Sequence, residues 1–330
     1  MLLCDSSNVS TVGTAVVVGY TVSNYVLTVI GFFANLMVII VFINCKIHRR
    51  SFTYLLVLQQ SFLDMIACCL YLYFYNIPAS NGNVAIYCKF ATLFFFFLSA
   101  STLNLAFISV ERYIAVVHPL KYWIRGNQMR SNLPQLCIPL IAAFLVTFQY
   151  VFILEEDPAV PGTCTFCYKN EGFRILSGTI LLLANAIVPI CTMIFSYYHV
   201  YITLKKQTKF RTESTIQPQI NIEPSTSCNV ADIEINISPS QTNDKDKAHD
   251  AQQNFIITMS INTLVYTICI TPLIVLYVVY TICECFDIHN HISRDIAVFI
   301  VVSNMAANPF VYAYKLKYFK EGFSKTFCRQ

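Results

Sequence analysis

Seven stretches of the 330-residue chain are apolar on most sides for 20 residues or more: 15–43, 52–77, 86–117, 133–154, 173–204, 253–280 and 295–314. A helix needs about 20 such residues to cross the hydrocarbon of a bilayer. Barrel strands are about ten residues long and alternate strictly. The pattern therefore predicts an all-α membrane protein built as a seven-transmembrane helix bundle. No residue between Asp5 and Lys46 is formally charged. The lead-in also lacks a basic n-region and a clear cleavage site, so the first run reads as a retained helix rather than a removed signal peptide. Residues 207–250 are different, rich in Asn, Gln, Ser, Thr and alternating charge, which predicts a disordered third cytoplasmic loop. Its hydroxyl residues serve either as phosphosites or as solvated spacers. After the last run, Leu316, Phe319, Phe323 and Phe327 recur at spacings of three and four with Lys317, Lys320 and Lys325 among them. That period predicts a short amphipathic helix at the cytoplasmic interface. The chain thus divides into an extracellular N-terminus (1–14), the seven-helix domain (15–315) and a terminal segment (316–330).

Composition and charge sharpen this picture. With 56% hydrophobic and 12% charged residues, the chain has too little polar surface for a water-soluble domain. Basic residues collect on the cytoplasmic side, and placing the N-terminus outside puts 18 Lys and Arg inside against four outside. This orientation makes Asn8, in Asn8-Val9-Ser10, an acceptor for glycosylation. Asn236-Ile237-Ser238 matches the same pattern but falls inside. Cys328 at the chain end is either a palmitoylation site or an unmodified thiol. The spans carry no converging catalytic groups and no inverted repeat, which argues against an enzyme and against a transporter. No nucleic-acid partner is expected.

The polar residues inside the spans carry the functional information, because each must find a partner away from water. Asp64 is foremost, and Asn35, Ser101, Asn304 and Asn308 also lie within spans. Ordered motifs accompany them: Gly31-Phe32-Phe33-Ala34-Asn35, Leu63-Asp64, Glu111-Arg112-Tyr113 followed by His118-Pro119-Leu120-Lys121-Tyr122, Pro189 with Tyr197, Cys269-Ile270-Thr271-Pro272, and Asn308-Pro309-Phe310-Val311-Tyr312. On these the chain resembles the rhodopsin-like family of G-protein-coupled receptors over nearly its full length. Departures accompany the matches. The fourth span has no tryptophan, Ile270 stands where the family usually has its toggle tryptophan, and Gln59 and Gln60 replace small or apolar residues before Asp64. The single tryptophan, Trp123, falls in a cytoplasmic loop.

The resemblance implies a plasma-membrane receptor that binds an extracellular ligand and activates heterotrimeric G proteins, with arrestin and a receptor kinase as further partners. It implies coupling and switching through Glu111, Arg112, Tyr113, Tyr197, Asn308, Pro309 and Tyr312. Glu111 would hold Arg112 at rest, loosely, since Gln252 stands where many members have an acid. The family's core switch maps to Thr102, Pro189 and Tyr266 beside Ile270 and Pro272. Two of these have gained hydroxyls, so a hydrogen bond is expected to replace part of an apolar switch. An allosteric sodium site maps to Asp64, Ser101, Asn304 and Asn308, the alternative being a protonated, hydrogen-bonded Asp64. A disulfide is expected from Cys88 to Cys164 or Cys167, the other cysteine pairing with Cys4, Cys283 or Cys285 or staying free. Phe94 stands where amine receptors of the family carry an aspartate, and Val302 where opsins carry the retinal lysine, so both ligand classes are disfavoured. The extracellular segments hold eight acids against four bases, a field that favours a cationic ligand. The reading leans to a neuropeptide, with a small lipid or nucleoside-like ligand, or a constitutively active receptor, as alternatives.

Overall fold

A computed structural model describes residues 3–4, 14–76, 83–126, 129–158, 162–216, 239–283 and 292–327. The first three spans are the helices α1 (Thr14–Asn44), α2 (Phe52–Asn76) and α3 (Val84–Val117). A short helix α4 (Pro119–Gly126) follows on the cytoplasmic side and carries Trp123, which the sequence had placed in a plain loop. The fourth span is built from a 3-10 turn (Met129–Leu136), α5 (Cys137–Thr147) and a single turn α6 (Tyr150–Ile153). The strands β2 (Leu154–Glu156) and β3 (Cys164–Tyr168) form an antiparallel hairpin, and the N-terminal strand β1 (Leu3–Cys4) pairs with β3. The fifth span joins α7 (Glu171–Leu182) to α8 (Val188–Ile216) through a π-helical segment, Leu183–Ile187. α9 (Pro239–Cys283) and α10 (Ile292–Lys315) complete the seven, and α11 (Lys317–Phe327) is the expected amphipathic helix. All seven spans are long and apolar enough to cross a membrane.

Local sequence explains the element ends that matter. Asn170 caps α7, its side chain accepting the Phe173 N–H at 2.7 Å, with Glu171 in the first turn where the helix dipole favours an acid. α8 continues to Ile216 and α9 begins at Pro239, so helix extends from both sides into the segment 207–250, as extending an existing helix costs far less than nucleating one. Residues 217–238 lie outside the described residues, as do Asn8 and Cys328, and so does the Gln252 side chain.

The bundle is apolar outside and polar within, the arrangement that lipid as solvent demands. Val26, Phe33, Ile141, Phe144, Leu145, Ile194, Leu264 and Phe310 are exposed on the surface, while Asn35, Gln60, Asp64, Asn104 and Asn308 are each at most 1% exposed. α3 sits at the centre, packed against α2, α5 and α8, and α1 packs against α2 and α10. Close helix approach requires small residues. A Cβ on Gly31 would stand 3.1 Å from Cys68 Sγ and 3.2 Å from Ala306 Cβ, and one on Gly322 would stand 2.9 Å from Val41 Cγ1. The glycines thus let α1 meet α10 and α11 meet α1.

Two span prolines create polar demands that other helices meet. A proline has no N–H for the carbonyl four residues earlier, and lipid offers that carbonyl no water. Pro309 leaves the Met305 carbonyl, which accepts from Asn35 Nδ2 of α1 at 3.0 Å. Pro189 leaves the Asn185 carbonyl inside the π segment, and the Tyr266 hydroxyl of α9 donates to it.

Candidate functional site

Three polar or hollow regions line the bundle axis. Nearest the extracellular side is a cavity of about 130 Å³ among α3, α6, the fifth span and α9. Phe95, Leu98, Leu181, Ile270, Leu273 and Ile274 make it mostly apolar, and Ser99, Thr102, Tyr150 and Asn185 supply its polar atoms. None of its lining residues is charged. Asn185 Oδ1 is buried and has no hydrogen-bond partner among the described residues. Phe94, at the position where an amine-binding aspartate was considered, is 5% exposed and packs on the Tyr71 and Phe95 rings at 5.5 and 5.4 Å.

The hairpin covers this cavity. Phe166 of β3 closes a ring cluster with Phe95 and Tyr150, the latter two stacked at 4.5 Å. Cys88 at the head of α3 is disulfide-bonded to Cys164, which settles the choice between Cys164 and Cys167. Cys167 is in a disulfide too, and the strand register places Cys4 opposite it. Lys89 pairs with Glu155 at 3.0 Å and donates to the Leu154 carbonyl at 2.8 Å. Asp157 is only 6% exposed. Glu155 and Asp157, two of the eight extracellular acids, thus lie in the hairpin, and Glu155 takes up Lys89, one of the four bases.

Midway down the bundle, Asp64 meets donors from three helices. Ser101 Oγ donates to Oδ1 at 2.6 Å, Asn308 Nδ2 to Oδ2 at 2.8 Å, and Gln60 Nε2 lies 3.2 and 3.1 Å from the two oxygens. Of the residues expected here, Ser101 and Asn308 converge on the carboxylate. Asn304 is buried, but its Oδ1 has no partner among the described residues. Gln60, which sequence reasoning treated only as a departure, is at the centre. Above this network Thr102, Pro189, Tyr266 and Ile270 are all buried, and Pro272 lies inside the continuous α9, two residues beyond Ile270. In this region the Tyr266 hydroxyl donates to the Asn185 carbonyl, four residues before Pro189.

At the cytoplasmic end Arg112 is 8% exposed, and its Nη2 donates to Thr53 Oγ1 and, at 3.3 Å, to Ser51 Oγ. These hydroxyls at the start of α2 were not foreseen as partners of Arg112. Ser51 Oγ also lies 3.4 Å from Tyr122 Oη of α4. Glu111, next to Arg112 in α3, is 3% exposed. Val116, Val200, Leu204 and Ile256 pack with Tyr113 and Tyr197, so the inner ends of α3, α8 and α9 are closed together. Tyr312 is fully buried, with the side chain of Asn262 at its hydroxyl. Beside this end α4 exposes Leu120, Trp123 and Ile124.

Comparison with known proteins agrees with this arrangement. Residues 34–312 match the model of the 7 transmembrane receptor (rhodopsin family). The chain is similar to human Trace amine-associated receptor 1, 24% identical over 251 residues that cover 72% of this chain and 65% of that receptor. It is similar to the Octopamine receptor beta-1R of Drosophila melanogaster, at 25% identity over 70% of this chain and 45% of the relative. It is also similar to human Free fatty acid receptor 3, at 27% identity over 54% of each. The chain thus spans less than two thirds of the length of each of these relatives. Squid rhodopsin has the same fold, with a TM-score of 0.76 at 14% identity, covering 97% of this chain and 87% of the other. These relatives overturn the lean toward a neuropeptide, since they are receptors named for amines and a fatty acid. The small cavity, with no charged residue in its lining, is the physical reason.

Proposed function

The chain belongs to the rhodopsin family of seven-transmembrane receptors, and from that premise we propose that it responds to a compact, uncharged, mostly apolar ligand held among the third, fifth and sixth spans. As a member it is a multi-pass plasma-membrane signalling receptor that couples to a heterotrimeric G protein, not an enzyme. The observation that carries the ligand class is the 130 Å³ cavity with no charged lining residue. A dry apolar cavity of about 150 Å³ holds a single benzene ring, so this volume suits one ring or a short chain and excludes a peptide side chain with its backbone. An ammonium group there would lie unpaired in an apolar wall, at a cost of several kcal/mol, and so would a carboxylate. Asn185 Oδ1 favours a ligand carrying one hydrogen-bond donor.

Ligand entry at this level presses on Ile270 and on Asn185, whose carbonyl accepts from Tyr266, and the signal leaves at Arg112. In the proposed active form α9 swings outward and frees Arg112 from Thr53 and Ser51 to pack against the G protein. Tyr197 and Tyr312 turn toward the opened cleft and stabilise it. Arrestin and a receptor kinase use the same cytoplasmic face. The test is a second-messenger panel on surface-expressed receptor with phenol, indole, toluene, phenethylamine, butyrate and a set of amidated peptides. Responses to the neutral rings, strongest for those with a donor, are expected. Responses confined to peptides, or to amines, would sink the proposal.

A further inference from the structure

We propose that the side-chain amide of Gln60 gives Asp64 the partner expected of a sodium ion, so that the receptor holds its resting core without sodium. The orientation of the amide follows from the backbone. The Leu56 carbonyl can only accept, so the Asn104 atom 3.1 Å from it is a donating Nδ2. The second hydrogen of that Nδ2 goes to Gln60 Oε1 at 2.9 Å. With its oxygen so engaged, Gln60 must turn Nε2 toward Asp64. It reaches both carboxylate oxygens and also Ser101 Oγ at 2.5 Å. Ser101 accepts from Gln60 and gives its own hydrogen to Asp64 Oδ1, forming a directed chain in which each bond polarises the next. Asn308 completes Oδ2.

A monovalent cation binds to oxygen acceptors. Here the carboxylate is ringed by N–H and O–H donors from α2, α3 and α10, and Gln60, Asp64, Ser101, Asn104 and Asn308 are each at most 3% exposed. An ion on Asp64 would face the amide hydrogens of Gln60. Turning that amide would set its oxygen against the carboxylate and break the bond from Asn104. Asn304 Oδ1, unpartnered among the described residues, is a spare oxygen of the expected set. The residues present do not fit the ion, and Gln60 is the reason.

An ion that binds neither state shifts no equilibrium between them. The test is the melting temperature of the purified full-length receptor in about 150 mM sodium chloride or choline chloride, matched in ionic strength. The wild type is expected to melt at the same temperature in both salts. Gln60→Leu removes the amide and leaves room and bare oxygen, and it is expected to gain a sodium-specific rise of about 2 °C or more. Asp64→Asn in the Gln60→Leu background should abolish that rise. A sodium-specific rise in the wild type that Asp64→Asn removes would overturn the inference, and so would a folded Gln60→Leu receptor indifferent to sodium. If Gln60→Leu does not accumulate, Gln60→Met takes its place, and the wild-type comparison alone still decides against the inference when sodium stabilises. The experiment needs no ligand, so its result stands apart from the proposed ligand class.

Discussion

Replacing Thr53 by valine should raise basal signalling, because it removes a hydroxyl that holds Arg112 while keeping the shape of the side chain. Arg112 Nη2 donates to Thr53 Oγ1 and to Ser51 Oγ, the latter at 3.3 Å. A hydrogen bond to a charged group contributes about 1.5–3 kcal/mol. Ser51 remains in the variant and takes part of the load, so the lower end applies. About 1.4 kcal/mol is a factor of ten in an equilibrium. Thr53→Val should therefore raise the active fraction up to roughly tenfold while that fraction is small. The bond is made with the inner ends of α3, α8 and α9 packed together, so its loss weighs on the closed form alone. Basal nucleotide exchange on a co-expressed G protein, at matched surface density, is the measurement. Unchanged basal exchange in both Thr53→Val and the double variant Ser51→Ala, Thr53→Val would refute the reasoning. Arg112→Ala differs in direction, since it removes the group offered to the G protein and should abolish signalling at equal surface density.

Cys88→Ala should lower surface expression and detach the hairpin, because Cys164 is its bonded partner; flow cytometry of intact cells checks this, and normal surface density with an unaltered ligand response would count against it. Tyr266→Phe should cost about 1–3 kcal/mol of stability by leaving the Asn185 carbonyl without its donor, seen as a fall of several degrees in the melting temperature of the purified receptor. A Tyr266→Phe receptor as stable as the parent would show that another donor serves this carbonyl.

The spans and their orientation were legible because the bilayer imposes length and charge sorting on the sequence itself. The α11 period was legible for a similar reason, its Phe319 and Phe323 packing inward beside Leu316. The disulfide was not, since Cys164 and Cys167 looked interchangeable until β3 was known to be a strand. Residues three apart in a strand point to opposite faces. Cys164 therefore turns to α3, while Cys167 lies on the opposite face, in register with Cys4 of β1. Gln60 was misread for want of a distant fact. Its partners Ser101 and Asn104 lie 41 and 44 residues away, and the direction of its amide is decided by a backbone carbonyl that no motif records.

The buried polar groups separate by what they serve. Asn35 serves the carbonyl orphaned by Pro309, and Tyr266 the one orphaned by Pro189, so both answer backbone demands fixed by the proline positions. Ser101, Gln60, Asn104 and Asn308 answer the charge of Asp64. Both sets tie helices together, while Asn35 Oδ1 and Asn104 Oδ1 keep no partner among the described residues. Asn185 Oδ1, at the cavity, has no such partner among the described residues. A buried polar atom left unpaired costs about 1–3 kcal/mol. At the cavity, a donor that paired Asn185 Oδ1 in an occupied form would recover that cost and favour the occupied form over the one described here.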